Sequence, residues 1–172
     1  KKLFTSGRLL VILLLGISSG LPYLLVGGTL KLWLKNKGLD IAVIGFFAFV
    51  RLPYTFKFMW APFLDRWVPP FLGRRRGWLV LIQGALVLSL VGLSQTQPEL
   101  SLWPVALFAL LTSFFSASQD IVIDAYRREV LEEEELGMGS ATAVLGYRLG
   151  LILGGASLAP FLSDLMSWNH VY

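Results

Sequence analysis

Residues Leu9 to Leu30 read LLVILLLGISSGLPYLLVGGTL, 22 positions without a charge. A helix needs about 20 mostly apolar residues to cross a bilayer, so this stretch is long enough to span one. A cleaved secretory leader is the alternative, with Lys1, Lys2 and Arg8 as its basic start and Ser18–Gly20 as its cleavage site. A leader's apolar region is roughly 7–15 residues long. Here the run continues past Pro22 to Trp33, which favours a retained span.

The rest of the chain repeats the pattern. Gly77–Pro98 gives 22 uncharged residues and Leu100–Gln119 gives 20. Ile41–Leu64 is interrupted only by Arg51 and Lys57, and Met138–Leu162 only by Arg148. Five spans are predicted, at about 9–34, 41–64, 77–95, 102–128 and 138–162, with Trp168–Tyr172 approaching a sixth. The fold class is therefore all-α, a polytopic transmembrane helical bundle.

Composition agrees. Of the 172 residues 55% are hydrophobic and 15% charged, and the mean hydropathy is +0.67. Soluble domains carry about 25% charged residues. Trp33, Trp60, Trp67, Trp78, Trp103 and Trp168 all lie near predicted span ends, as expected of an interfacial aromatic belt. The chain has no Cys and one His, His170. A metal site, a cysteine nucleophile and a Ser-His-Asp triad are thereby disfavoured. Gly16-Ile17-Ser18-Ser19-Gly20 matches the nucleophile-elbow pattern, but within a membrane span it has neither the strand-to-helix turn nor the partners. No catalytic residue and no cofactor are expected; the protein is read as a non-enzyme.

Lys and Arg set the orientation. The N-terminus and the connections on its side hold nine: Lys1, Lys2, Arg8, Arg66, Arg74, Arg75, Arg76, Arg127 and Arg128. The other side holds three, Lys31, Lys35 and Lys37. The positive-inside rule places the N-terminus in the cytoplasm, and Glu132–Glu135 count little against it. The net charge of +4 thus reflects topology, and no nucleic-acid motif is present. The connections are short: six residues at Lys35–Asp40, twelve at Asp65–Arg76, seven at Ser94–Leu100 and nine at Glu129–Gly137. The chemistry must lie within the bilayer.

Five ionisable residues fall inside predicted spans: Arg51, Lys57, Asp120, Asp124 and Arg148. An unpaired charge there costs at least ~2.5–3.5 kcal/mol, so each is a candidate functional residue. At ~1.5 Å per residue, Asp120 lies about 12 Å and Asp124 about 6 Å inside the end of span four, and Arg148 about 14 Å inside span five. Lys57 lies about 10 Å and Arg51 about 20 Å from the end of span two. Lys57, Asp120 and Arg148 should share one layer. Asp120 and Asp124, four apart, share a helix face. The residues suggest a polar path lined by spans two, four and five. Asp120 would take and release a proton beside Lys57 or Arg148, and Arg51 would grip an anion. A purely structural ion-pair network is the other reading, and it is the stronger one for Asp124. Pro22 predicts a kinked or broken first span, a device that transporters use to build binding sites. Gly146, Gly150 and Gly154 predict a smooth face for close helix packing.

The loop after span two reads Ala61-Pro62-Phe63-Leu64-Asp65-Arg66, then Gly73-Arg74-Arg75-Arg76. It resembles the signature loop of the major facilitator superfamily, with Ala61 in place of a glycine and a longer insert, Trp67–Leu72. Together with Phe56-Lys57-Phe58, Ser116–Ala125 and Val144–Gly150, it is similar to the AmpG muropeptide permease branch, from Ser19 to Gly155. The resemblance implies an inner-membrane carrier of twelve or more spans. Such carriers import N-acetylglucosaminyl-1,6-anhydro-N-acetylmuramyl peptides for peptidoglycan recycling, driven by the proton gradient. It implies that Asp65, Arg66, Gly73, Arg74, Arg75 and Arg76 form a conformational loop, with Asp124 as partner to one of its arginines.

On that reading Arg51, Tyr54, Lys57, Gln119, Tyr147 and Arg148 are the candidate substrate residues, and Asp120 and Asp124 the candidate proton-coupling residues. The partners are an anionic glycopeptide, protons, the lipid bilayer and the missing C-terminal half of the same carrier. Residues 1–172 are expected to form the incomplete N-terminal half. The location is the bacterial inner membrane, multi-pass. An acetyl-CoA transporter-like carrier and a non-transporting sensor or assembly partner are the alternatives.

Overall fold

The computed structural model describes residues 7–70, 72–156, 158–165 and 167–172. Lys1 and Lys2, two of the orienting charges, lie outside them. Every regular element among the described residues is helical, and five segments are long and apolar enough to cross a membrane.

The first span starts with helix α1 (Gly7–Leu24), passes through one wide π turn at Leu25–Thr29 and continues as α2 (Leu30–Asn36). Helix α1 does not end at Pro22. Proline keeps a helical φ and removes only one ladder bond. The irregularity appears instead as the π turn just beyond it, where Gly27 and Gly28 lie. A sharp turn follows, with Gly38 at φ 76°. Asp40 then caps α3 (Ile41–Phe46), its carboxylate accepting from the amide of Ala42 at 2.7 Å.

The second span is not one helix. It runs α3, a 3-10 segment at Phe47–Arg51, α4 (Leu52–Phe56), a 3-10 turn at Lys57–Met59 and α5 (Ala61–Arg66). Pro53 and Pro62 sit near the starts of α4 and α5, where a missing donor is tolerated. The third span is α6 (Arg74–Ser94) and the fourth α7 (Leu102–Val130). The fifth begins with a turn at Glu133–Glu135 and runs through α8 (Leu136–Leu151) to a second π turn at Ile152–Ala156. Helices α9 (Leu158–Leu165) and α10 (Trp168–Val171) complete the described chain.

Packing is tightest between α1 and α8. Gly16 and Gly20 meet Gly146 and Gly150. A Cβ at Gly146 would strike the carbonyl oxygen of Leu13, one at Gly150 that of Ile17, and one at Gly20 that of Tyr147. Only glycine lets the two backbones approach this closely, so the small-residue stripe is a crossing point. Helices α6 and α7 form a second packed pair, with the short helices of span two lying against α7.

Polarity is inverted relative to a water-soluble fold. Ser19, Ser89, Thr112, Ser113, Ser116, Ser118 and Gln119 are buried, while Phe46, Phe49, Val87, Leu88 and Leu145 are exposed. Lipid solvates the apolar outside, and Ser19, Ser89, Thr112 and Ser118 find partners inside. The tryptophans depart from a uniform belt. Trp67 and Trp103 are 64% and 83% exposed, but Trp33 and Trp168 are 0% and 8% exposed. These two pack with Leu30, Leu34, Val50, Leu93 and Val105 in a core that closes the end of the bundle away from the N-terminus. The proximity of Tyr172, 5.3 Å from the Trp33 ring, shows why. The chain after span five folds back over this end and covers the indole.

Candidate functional site

All five spans bring polar residues to common levels. Asp120 lies on α7, and its carboxylate accepts a hydrogen bond from the hydroxyl of Ser19 on α1. The neighbouring Gln119 is fully buried and donates through Nε2 to Ser18 Oγ at 3.1 Å. Gln83 on α6 donates to the same oxygen at 3.4 Å. Ser18 and Ser19 thus tie the first span to the third and fourth. Below Asp120 is a cavity of about 180 Å³, lined by Ser19, Lys57, Asp120, Asp124, Arg127 and Tyr147 among others. Lys57 and Asp124 are the charges that act on Asp120.

One turn further from the N-terminal end is a layer of three tyrosines. The Tyr23 ring meets Tyr54 edge-on at 5.0 Å and Tyr147 at 6.3 Å. The guanidinium of Arg51 lies over the Tyr23 ring, 4.0 Å from its centre. Stacking on an aromatic face stabilises the cation and leaves its N–H edges free. Gly27, in the first π turn, lies beside this guanidinium. The hydroxyl of Tyr54 is buried and faces Ser116. The order along the bundle is therefore carboxylate cavity, tyrosine layer, arginine.

Two sequence expectations fail here. Arg148 matches Asp120 in depth but not in direction. It is exposed and makes no ion pair among the described residues. Gly146 and Gly150 point at α1, and a residue two positions from each lies on the other side of the helix, at 3.6 residues per turn. Asp124 does not reach the loop arginines. It pairs with Arg127 on its own helix at 3.3 Å.

The loop arginine that does form contacts is Arg75. Its Nη1 is 2.6 Å from Asp65, and its Nε is 2.8 Å from Glu129 at the end of α7. One guanidinium thus clamps the ends of the second, third and fourth spans. Leu72 and Gly73, at φ 57° and 77°, turn the chain sharply into α6. The indole of Trp78 donates to the carbonyl of Trp67 at 2.8 Å and pins the insert. Arg66, Arg74 and Arg76 are exposed and make no ion pair among the described residues. Arg75→Gln should lower the thermal stability of the purified protein by about 1 kcal/mol, the scale of a partly exposed pair, while Arg74→Gln should change it little. Melting curves of the two variants check this.

Sequence reading missed Ser19, Tyr23, Gln83 and Glu129. Ser19 and Tyr23, four apart on α1, share the face that carries Gly16 and Gly20. Gln83 is the one large polar side chain between Trp78 and Ser89. Those are the signals that could have found them.

A bundle of apolar-coated helices that turns Arg51, Lys57 and Asp120 toward a shared interior is a multi-pass membrane protein. The chain belongs to the major facilitator superfamily, whose sequence profile matches residues 8–172. It is 44% identical over 99% of its length to the anhydromuropeptide permease of Escherichia coli strain K12 and covers 35% of that protein. It is 40% identical over 98% of its length to a protein of Rickettsia felis named putative transporter AmpG 4, of which it covers 41%. A protein of Haemophilus influenzae is 47% identical over 96% of the chain, which covers 39% of it. The chain thus spans between a third and about two fifths of the length of these relatives.

Proposed function

We propose that this chain is part of a proton-coupled carrier that imports anhydromuropeptides across the bacterial inner membrane for peptidoglycan recycling. The observation that carries the reading is the Asp120 site. A carboxylate held by Ser19 faces a cavity shared with Lys57, in a chain 44% identical to an anhydromuropeptide permease. A carrier driven by protons needs a group that is charged in one state and neutral in another, and a half-buried carboxylate beside a cation is such a group. The gradient supplies the energy, so no cofactor is needed. Asp124, in the same cavity, tunes Asp120 by like-charge repulsion.

Arg51 serves as the anchor for a substrate carboxylate, since its stacked guanidinium keeps its donors free. Lys57, Gln119 and Tyr147 complete the polar surroundings. Arg148 faces away from this site and takes no part in it. The N-terminus lies in the cytoplasm, where Arg75 holds the loop from Asp65 to Arg76 closed. Arg51→Gln should raise the KM for anhydromuropeptide about tenfold or more, the scale of a charge-assisted hydrogen bond. An unchanged KM in correctly folded protein would remove Arg51 from the binding site.

The deciding experiment uses vesicles containing the full-length carrier. Uptake of labelled anhydromuropeptide is measured with and without an inward proton gradient, with acetyl-CoA as competitor. Gradient-driven uptake indifferent to acetyl-CoA supports the reading. Strong competition, or no muropeptide uptake, would refute the substrate.

A further inference from the structure

A driven proton must enter from one side of the membrane and leave on the other. The cavity below Asp120 runs toward Arg127, at the end of the bundle that carries the N-terminus. In the opposite direction the tyrosine layer intervenes. Around that layer lies a set of buried oxygens short of hydrogen-bond partners: Ser113 Oγ and Gln119 Oε1 have none, and Tyr54 Oη and Ser116 Oγ have only each other within reach. Ser113, Ser116 and Gln119 are completely shielded from outside. Their neighbours on α7 behave otherwise. Thr112 and Ser118 each donate to the carbonyl four residues back, at 2.8 and 2.7 Å. Ser113 and Ser116 do not use this local partner. Buried polar atoms are almost always satisfied by protein or by internal water, and polar sites of this kind are where internal water resides.

We propose that Tyr54 Oη, Ser116 Oγ and Gln119 Oε1 bound an internal water site that relays protons between Asp120 and the Arg51 side of the tyrosine layer. This relay rests on the proton-coupled reading above. Tyr54 lies within electrostatic reach of Asp120, Tyr147 and Arg51, and its hydroxyl is beside that of Ser116. Arg51 from the second span, Tyr23 from α1 and Tyr147 from α8 are the other charged or titratable groups near Tyr54, and Lys57 and Asp124 those near Asp120. The transfer balances without a co-reactant. A proton arriving from the Arg51 side binds the tyrosine oxygen as its own proton passes to the water. The water passes one on to the Asp120 carboxylate, and Tyr54 and the water end as they began. Ser116 is a positioning residue that holds the water in line.

The test is gradient-driven accumulation and gradient-free exchange of labelled anhydromuropeptide, by the full-length carrier in proteoliposomes. Ser116→Ala should lower accumulation about tenfold or more, in line with the loss of a positioned proton-transfer group, and leave exchange unchanged. Tyr54→Phe, which retains the ring against Tyr23, should lower accumulation by a similar factor. Accumulation at the wild-type level in both variants overturns the relay. Equal loss of exchange and accumulation in Ser116→Ala also overturns it, because the role is then structural. Wild-type uptake that ignores the proton gradient would sink the proton-coupled reading itself, and the relay with it.

Discussion

Asp120→Asn should abolish accumulation of anhydromuropeptide against its gradient, while exchange of labelled for unlabelled substrate continues at a measurable rate. Asparagine has almost the same shape, and its side-chain oxygen still accepts from the Ser19 hydroxyl that holds Asp120 in place. It cannot bind and release a proton near neutral pH. The loss should reach about a hundredfold, the lower range for removing a positioned acid–base group. Uptake by the variant should also cease to depend on the pH difference across the membrane. Proteoliposomes with clamped internal and external pH measure both. Uphill uptake that persists would remove Asp120 from the coupling mechanism. The same substitution at Asp124 should have a smaller effect, since this carboxylate is exposed and already paired with Arg127.

Gly146→Leu should eliminate folded protein. The α1–α8 crossing brings Gly146 against the backbone of Leu13, Gly16 and Ile17, so a side chain meets main chain, which cannot turn aside. Overpacking a core costs typically about 1–3 kcal/mol when side chains can adjust. Here the two helices must separate, and the contact between the first and fifth spans is lost along its length. Gly84→Ala supplies the contrast. Nothing lies within 4 Å of a Cβ at that position on α6, and the alanine gains about 1 kcal/mol of helix propensity. Size-exclusion profiles and melting curves of the two variants in detergent should diverge sharply. A monodisperse Gly146→Leu protein with wild-type melting would mean that the close crossing is not required.

Much of this was legible in the residues. Uncharged runs of 20 or more forced membrane helices, because backbone polar groups in lipid have no other solution. The common depth of Lys57 and Asp120 followed from counting residues at a fixed rise, and the structure puts both in one cavity. Counting along the axis gave nothing about direction around it. Depth alone therefore groups Arg148 with the cluster, whereas its side chain is exposed on another face of α8. For Asp124 the resemblance points to a distant loop arginine, whereas Arg127 stands one turn away on the same helix. Position near a span end did not separate Trp33 from Trp103, because burial depended on how the chain around Tyr172 folds back. Tyr23 escaped notice because its role lies in what it stacks on, which a linear pattern does not encode.

The segmented second span has a mechanical consequence. A 3-10 helix rises about 2.0 Å per residue, against about 1.5 Å in an α-helix. The five residues Phe47–Arg51 and the three at Lys57–Met59 therefore store about 4 Å of extra axial length. Rewinding the longer stretch would shorten the span by about 2.5 Å and the shorter one by about 1.5 Å, in the manner of a telescoping rod. Arg51 and Lys57 both sit on these extensible stretches, whereas Asp120 sits on the uninterrupted α7. Rewinding would therefore carry Arg51 and Lys57 along the bundle axis relative to Asp120.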